Sequence, residues 1–303
     1  MFFRREFGAV AALSVLAYAA PAPAPMQRRD ISSTVLDNID LFAQYSAAAY
    51  CSSNIESTGT TLTCDVGNCP LVEAAGATTI DEFDDSHPPS SSSYGDPTGF
   101  IAVDPTNELI VLALRGSSDI SNWIADLDFG LTSVSDICDG CEMHKGFYEA
   151  WEVIADTITS KVEAAVSSYP DYSIVFTGHS YGAALAAIAA TVLRNAGYTL
   201  DLYNFGQPRI GNLALADYIT DQNMGSNYRV THTDDIVPKL PPKLLGYHHF
   251  SPEYWITSGN DVTVTTSDVT EVVGVDSTDG NDGTLLDSTT AHRWYTIYIS
   301  ECS

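Results

Sequence analysis

Cationic side chains are scarce in this chain of 303 residues. Thirteen Lys and Arg stand against 39 Asp and Glu, for a formal net charge of −26. That deficit excludes nucleic acid as a partner, because a phosphate backbone would be repelled. It also disfavours anionic membrane surfaces and leaves neutral or cationic substrates easier to approach. Long apolar runs are missing too. Phe7 to Leu16 is apolar but too short to cross a bilayer, and no later segment is long and apolar enough. No stable membrane insertion is therefore expected. No Asn-x-Ser/Thr acceptor occurs, so N-glycosylation is not expected. Against these absences, 45% of residues are hydrophobic and the mean hydropathy is near zero. Such a chain can bury a core, and the composition argues against disorder.

The N-terminus reads as an export signal. Arg4 and Arg5 precede the apolar stretch, and Ala17-Tyr18-Ala19 offers a small-x-small cleavage site. Residues 1–19 are thus expected to be a signal peptide. The Pro/Ala segment ending at Arg28-Arg29 reads as a propeptide over 20–29, leaving a single domain over 30–303 and a secreted, extracellular product. Six cysteines in an exported protein suggest three disulfides. Cys64 and Cys69 flank a short turn, Cys138 and Cys141 form a tight C-x-x-C, and Cys51 and Cys302 remain to join the two ends of the mature chain. A redox role for Cys138 and Cys141 is disfavoured because export favours a permanent bridge, and a four-cysteine zinc site because the remaining spacings do not pair up.

Strands alternate with helices along the chain. Tyr172 to Phe176, Phe100 to Val103, Leu109 to Leu114, Leu200 to Phe205 and Tyr228 to Thr231 read as strands. Thr34 to Ala49, Phe147 to Tyr169 and Leu213 to Thr220 have helical periodicity. The region 84–97 reads as a polar loop, and 257–290 as loops with short strands. Such alternation implies a parallel or mixed sheet with helices on its faces. One join carries chemistry. Gly178-His179-Ser180-Tyr181-Gly182 lies between an apolar strand and an alanine-rich helix, the setting in which G-x-S-x-G projects a serine from a sharp turn. The pattern alone would occur in about one chain of this length in ten from average glycine usage, so the strand–helix context carries the argument.

A serine nucleophile needs a base oriented by an acid. In an α/β-hydrolase the order is Ser, acid, His. That order favours His292 over His87 and His144, which precede Ser180, while His248 and His249 stay as rivals. His179, inside the turn, reads as structural. The acid should follow a strand, and both Asp234 and Asp235 do. Oxyanion stabilisation needs two donors: the Tyr181 amide, and a group from the loop after Leu109 to Leu114, where Ser117 offers a backbone N–H and a hydroxyl. Beyond it, Ile120, Trp123, Ile124 and Leu127 fall at i, i+3, i+4 and i+7. Ser118 or Asp119 can cap this helix. By itself the stripe reads as an ordinary core helix; beside an oxyanion loop it reads as a lid.

With these motifs in this order the chain resembles the secreted filamentous-fungal lipases of the Rhizomucor/Thermomyces type, over essentially residues 35–302. The matching stretches are Leu114-Arg115-Gly116-Ser117, Asn122-Trp123-Ile124, Thr177-Gly178-His179-Ser180, Thr231-His232-Thr233 with Asp235-Ile236-Val237-Pro238, Ser251-Pro252-Glu253-Tyr254-Trp255, and Ala291-His292 with Trp294-Tyr295. The resemblance implies an α/β-hydrolase fold, a central mostly parallel sheet flanked by helices, and a short helical lid over residues near 119–127. It implies catalytic Ser180, Asp235 and His292, with Asp235 chosen because the family's acid immediately precedes Ile-Val-Pro. It implies Ser117 and Tyr181 as oxyanion donors, supports the three disulfides above, and implies no metal or organic cofactor. The expected activity is ester hydrolysis of acylglycerols at an oil–water interface, by a monomer.

Two departures bear on specificity. Tyr181 stands where the family usually has Leu, and Ala183 where it often has a second Gly. Ala at that place resembles mono- and diacylglycerol lipases and feruloyl esterases. Those are the alternative activities. A serine peptidase, or a non-catalytic interface-binding protein, accounts less well for the apolar stripe together with the full Ser, Asp and His set.

Overall fold

Successive side chains on the strands point to opposite faces of the sheet, and each face is covered by different helices. The computed structural model describes residues 29–55, 58–84 and 97–302. Its strands are β1 (Arg29–Asp30), β2 (Thr78–Asp84), β3 (Thr98–Asp104), β4 (Leu109–Leu114), β5 (Leu131–Ser133), β6 (Glu142–His144), β7 (Ser173–His179), β8 (Leu200–Phe205), β9 (Asn227–His232), β10 (Glu253–Ile256) and β11 (Val269–Val272). Its α-helices are α1 (Ser33–Ala48), α2 (Pro70–Ala75), α3 (Ile120–Asp126), α4 (Lys145–Ser168), α5 (Tyr181–Asn195) and α6 (Leu213–Asp221). The main sheet has nine strands in the order β1-β11-β10-β9-β8-β7-β4-β3-β2, and β5 and β6 form a separate hairpin. The five central strands, β4, β7, β8, β9 and β10, run parallel; β2 and β3 on one side and β11 and β1 on the other are antiparallel.

The central strands are apolar throughout because both faces are covered. Ile110, Leu112 and Leu114 of β4 pack with α4 and α5, while Val111 and Ala113 of the same strand pack with α1. Phe147, Trp151, Ile154, Ile158 and Val162 form the buried stripe of α4. Helix α5 is buried nearly all round, and its alanines let it lie close between α4 and the sheet. All three expected disulfides are present: Cys51–Cys302, Cys64–Cys69 and Cys138–Cys141. No helix among the described residues is long and apolar enough to cross a membrane.

The α/β architecture agrees with the sequence reading, with differences in detail. Strand β2 and the β5–β6 hairpin lie where the sequence suggested no strands. The expected signal peptide and nearly all of the expected propeptide lie outside the described residues, as does most of the polar loop at 84–97. Arg29, the last residue of that expected propeptide, pairs with Glu271 at the sheet edge.

Candidate functional site

The parallel strands deliver the site at their C-terminal ends. β7 ends in a turn whose tip, Ser180, has φ 58 and ψ −125, a left-handed conformation that non-glycine residues rarely adopt. The flanking glycines are required by close approach. A Cβ on Gly178 would lie 2.5 Å from the Gly182 carbonyl oxygen, and one on Gly182 would collide with the end of β4 at the Leu114 carbonyl. The chain can therefore turn from strand into α5 against β4 only without side chains at those two places. Ser180 stands at the start of α5, where unpaired N–H groups gather.

Asp235 and His292 come from segments far apart in sequence. Asp235 follows β9 and is held by three donors: the Val237 amide to Oδ1 at 2.9 Å, His292 Nδ1 to Oδ2 at 2.8 Å, and the Tyr295 hydroxyl to Oδ2 at 2.7 Å. Asp234, the other candidate, is half-buried and accepts from the Thr233 hydroxyl instead. The Ser180 amide donates to the Phe205 carbonyl, and the ring of His292 lies directly against Gly206, which joins the two halves of the site. Ser180, Asp235 and His292 are each 0% exposed. Two polar atoms there have no hydrogen-bond partner: Ser180 Oγ and His292 Nε2. Buried polar atoms are nearly always satisfied, so two orphans, one at the strained turn and one on the ring against Gly206, call for a functional explanation.

A second tier holds these groups. His179 Nε2 donates to the His292 carbonyl at 2.7 Å, and the Tyr50 hydroxyl donates to His179 Nδ1 at 2.7 Å. Both ring nitrogens of His179 are thus used by the neutral form, and burial, with His292 beside it, holds its pKa well below the usual histidine range. Its structural reading stands. Tyr50 and Tyr295 were not singled out as site residues from the sequence. Burial pushes both phenols upward in pKa, and for Tyr295 the Asp235 carboxylate adds to the effect. The rival histidines lie elsewhere. His248 pairs with Asp276, and His249 donates from Nε2 to the Pro238 carbonyl.

The expected oxyanion loop and lid are adjacent to the turn. Gly116 lies so near that a Cβ there would be 2.9 Å from Ser180 Cβ. Ser117 follows, and its hydroxyl is bonded at 3.3 Å to the backbone of Asp119. Asp119, not Ser118, caps α3 by accepting from the Asn122 amide. Ile120 and Leu127 are buried, Trp123 and Ile124 half-buried. Trp123 stacks on Phe147 with centroids 6.2 Å apart, and Phe147 in turn packs against Tyr181. The apolar face of α3 is therefore turned inward, above the residue that follows Ser180. The Tyr181 ring belongs to the apolar cluster formed with α4 and α5.

A strained serine turn at the C-terminal end of a parallel strand, with an aspartate and a histidine delivered after later strands, is the arrangement of an α/β-hydrolase fold. Family and relatives agree. Residues 111–245 match the model of the class 3 lipases, and residues 9–80 match the model of the lipase 3 N-terminal region. The chain is 46% identical to secreted mono- and diacylglycerol lipase A of Penicillium cyclopium, over 97% of this chain and 94% of that one. The crystal structure of a mutant form of that Penicillium lipase superposes with a TM-score of 0.83 at 44% identity, over 90% of this chain and all of the other. The Rhizomucor miehei lipase propeptide complex superposes with a TM-score of 0.76 at 28% identity, over 91% and 85%. The chain belongs to the class 3 lipase family. It is a secreted fungal-type lipase, hence a carboxylic ester hydrolase.

Proposed function

We propose that Ser180, Asp235 and His292 act as nucleophile, acid and base in hydrolysing acylglycerols. The observation carrying this reading is the pair of buried, unpartnered atoms, Ser180 Oγ and His292 Nε2, beside a histidine whose other nitrogen donates to Asp235. With Nδ1 protonated, Nε2 bears the lone pair and takes the serine proton as Oγ attacks the ester carbonyl. Asp235 stabilises the imidazolium that results. The backbone N–H groups of Ser117 and Tyr181 receive the oxyanion. The imidazolium protonates the departing glycerol oxygen, and water deprotonated by His292 then releases the fatty acid.

In this reading α3 is a closed lid. Its displacement would uncover the site and free the Ser117 hydroxyl from Asp119, and an oil surface would replace the burial lost by Ile120, Trp123, Ile124 and Leu127. The protein acts as a monomer at the interface, and the mature chain runs from about residue 30. Tributyrin hydrolysis measured through its solubility limit tests this, with Ser180→Ala as the blank. The expected result is a steep rise once droplets form and loss of nearly all activity in the variant. Saturation below the limit points instead to an esterase. Mono- and diacylglycerols are the favoured substrates, on the name of the Penicillium relative and on Ala183. Faster release of oleate from diolein than from triolein is the expected outcome.

A further inference from the structure

The closed lid poses a problem for adsorption. Its apolar face is turned mostly inward, with Ile120 and Leu127 buried and Trp123 and Ile124 half-buried, so it offers little surface for a first contact with oil, and the strong negative charge gives no general attraction to a surface. Two leucine pairs are nevertheless permanently exposed: Leu244 at 95% with Leu245 at 46%, and Leu285 at 98% with Leu286 at 72%. Most exposed apolar residues are scattered singly and need no explanation. These four lie on two turns that are tied together. Lys239 Nζ donates to the carbonyls of Thr284 and Leu286 and pairs with Asp287 at 2.8 Å. Lys243 Nζ pairs with Asp282 at 2.7 Å.

Both turns border the catalytic segments. Ser288 bridges to Asp235, and the same strap continues to His292. Gly246 lies beside Leu131, just past the lid, and the Tyr247 hydroxyl donates to the Gly130 carbonyl. The Leu244–Leu245 tip therefore lies beside the segment that follows α3, and the Leu285–Leu286 tip is tied to the segments that carry Asp235 and His292. We infer that Leu244, Leu245, Leu285 and Leu286 form a fixed docking rim that seats the closed enzyme on an uncharged acylglycerol surface before the lid moves. The inference rests on the lipase reading of the site. Its occupant follows from charge. The two lysines nearest the tips are already paired with aspartates, so the rim offers no free cation to an anionic headgroup, while leucine side chains gain by leaving water for oil.

The test uses the Ser180→Ala protein, which separates adsorption from hydrolysis, and diolein droplets as the probe. Leu244→Ser with Leu285→Ser is compared with Val66→Ser, an exposed apolar residue in the Cys64–Cys69 turn. Transfer of one leucine side chain is worth about tenfold in partitioning, so bound protein at limiting droplet area should fall by about tenfold or more in the double variant and stay level in the control. With Ser180 restored, the ratio of emulsion to dissolved-ester rates should fall in parallel. Undiminished adsorption overturns the inference. So does tighter binding to phosphatidylserine vesicles than to diolein, or sedimentation of the parent as a dimer that the double variant dissociates. Leucine-dependent adsorption together with no release of fatty acid by the protein that retains Ser180 would leave the rim standing and remove the proposed activity.

Discussion

At the scale of single residues, the site depends on who satisfies Asp235. Its Oδ2 takes two donors, His292 Nδ1 and the Tyr295 hydroxyl. Hydrogen bonds to charged groups contribute about 1.5–3 kcal/mol. Tyr295→Phe removes one without changing the ring that packs on Phe205. Tyr295 touches no reacting atom, so it is a positioning residue. The expected outcome is a fall in kcat of about tenfold or more with little change in KM, since substrate contacts are untouched; an equal loss shared with KM would mean a wider distortion. The proposed acid was legible only through resemblance, because Asp234 and Asp235 are equivalent by spacing. Tyr295 and Tyr50 were not legible as site residues. Their partners lie 60 and 129 residues away in sequence, and local patterns carry no information about contacts made through the sheet.

Elements were legible where periodicity was strong. The continuous apolar run of β4 and the stripe of α4 emerge within a residue or two of their expected ends, because burial on two faces or on one leaves an unambiguous pattern. Strand β2, Thr-Thr-Ile-Asp-Glu-Phe-Asp, escaped notice because it is an edge strand with a register shift and half-exposed polar positions. Helix α3 shows how a pattern alone underdetermines a role. Its stripe is buried as a core helix would bury it, yet it is seven residues long and only partly covered. So short a helix depends on its cap. Asp119→Ala removes the acceptor of the Asn122 amide and should cost about 1 kcal/mol of the closed helix. If closure limits access, hydrolysis of tributyrin below its solubility limit should rise up to about fivefold, with a smaller jump at droplet formation. An unchanged profile would mean that α3 does not gate the site.

For the whole molecule, the long-range staple and the buried histidines set stability. Cys51–Cys302 closes a loop of 251 residues in sequence separation. In the chain-entropy model its loss costs about 5 kcal/mol, so Cys51→Ser with Cys302→Ser should lower the melting temperature by about 10–20 °C at about 2–4 °C per kcal/mol. Acid acts through a different set. Burial lowers His144 from 6.5 to about 4 and holds His179 and His249 well below the usual range. Above pH 6.5 these rings are neutral folded or unfolded, and pH has no leverage through them. Below 6.5 the unfolded chain takes up protons that the folded one refuses, so stability is lost as pH falls, for His144 progressively down to about 4. At 1.36 kcal/mol for each unit, that ring alone accounts for about 3 kcal/mol. His144→Asn keeps an acceptor for the Phe147 amide, the bond now made by Nδ1, and removes the titration. Its unfolding free energy should be lower at pH 7 yet change less between pH 7 and pH 4, by up to about 3 kcal/mol. Equal pH slopes in urea titrations of the two proteins would show that the His144 ring is not what acid attacks.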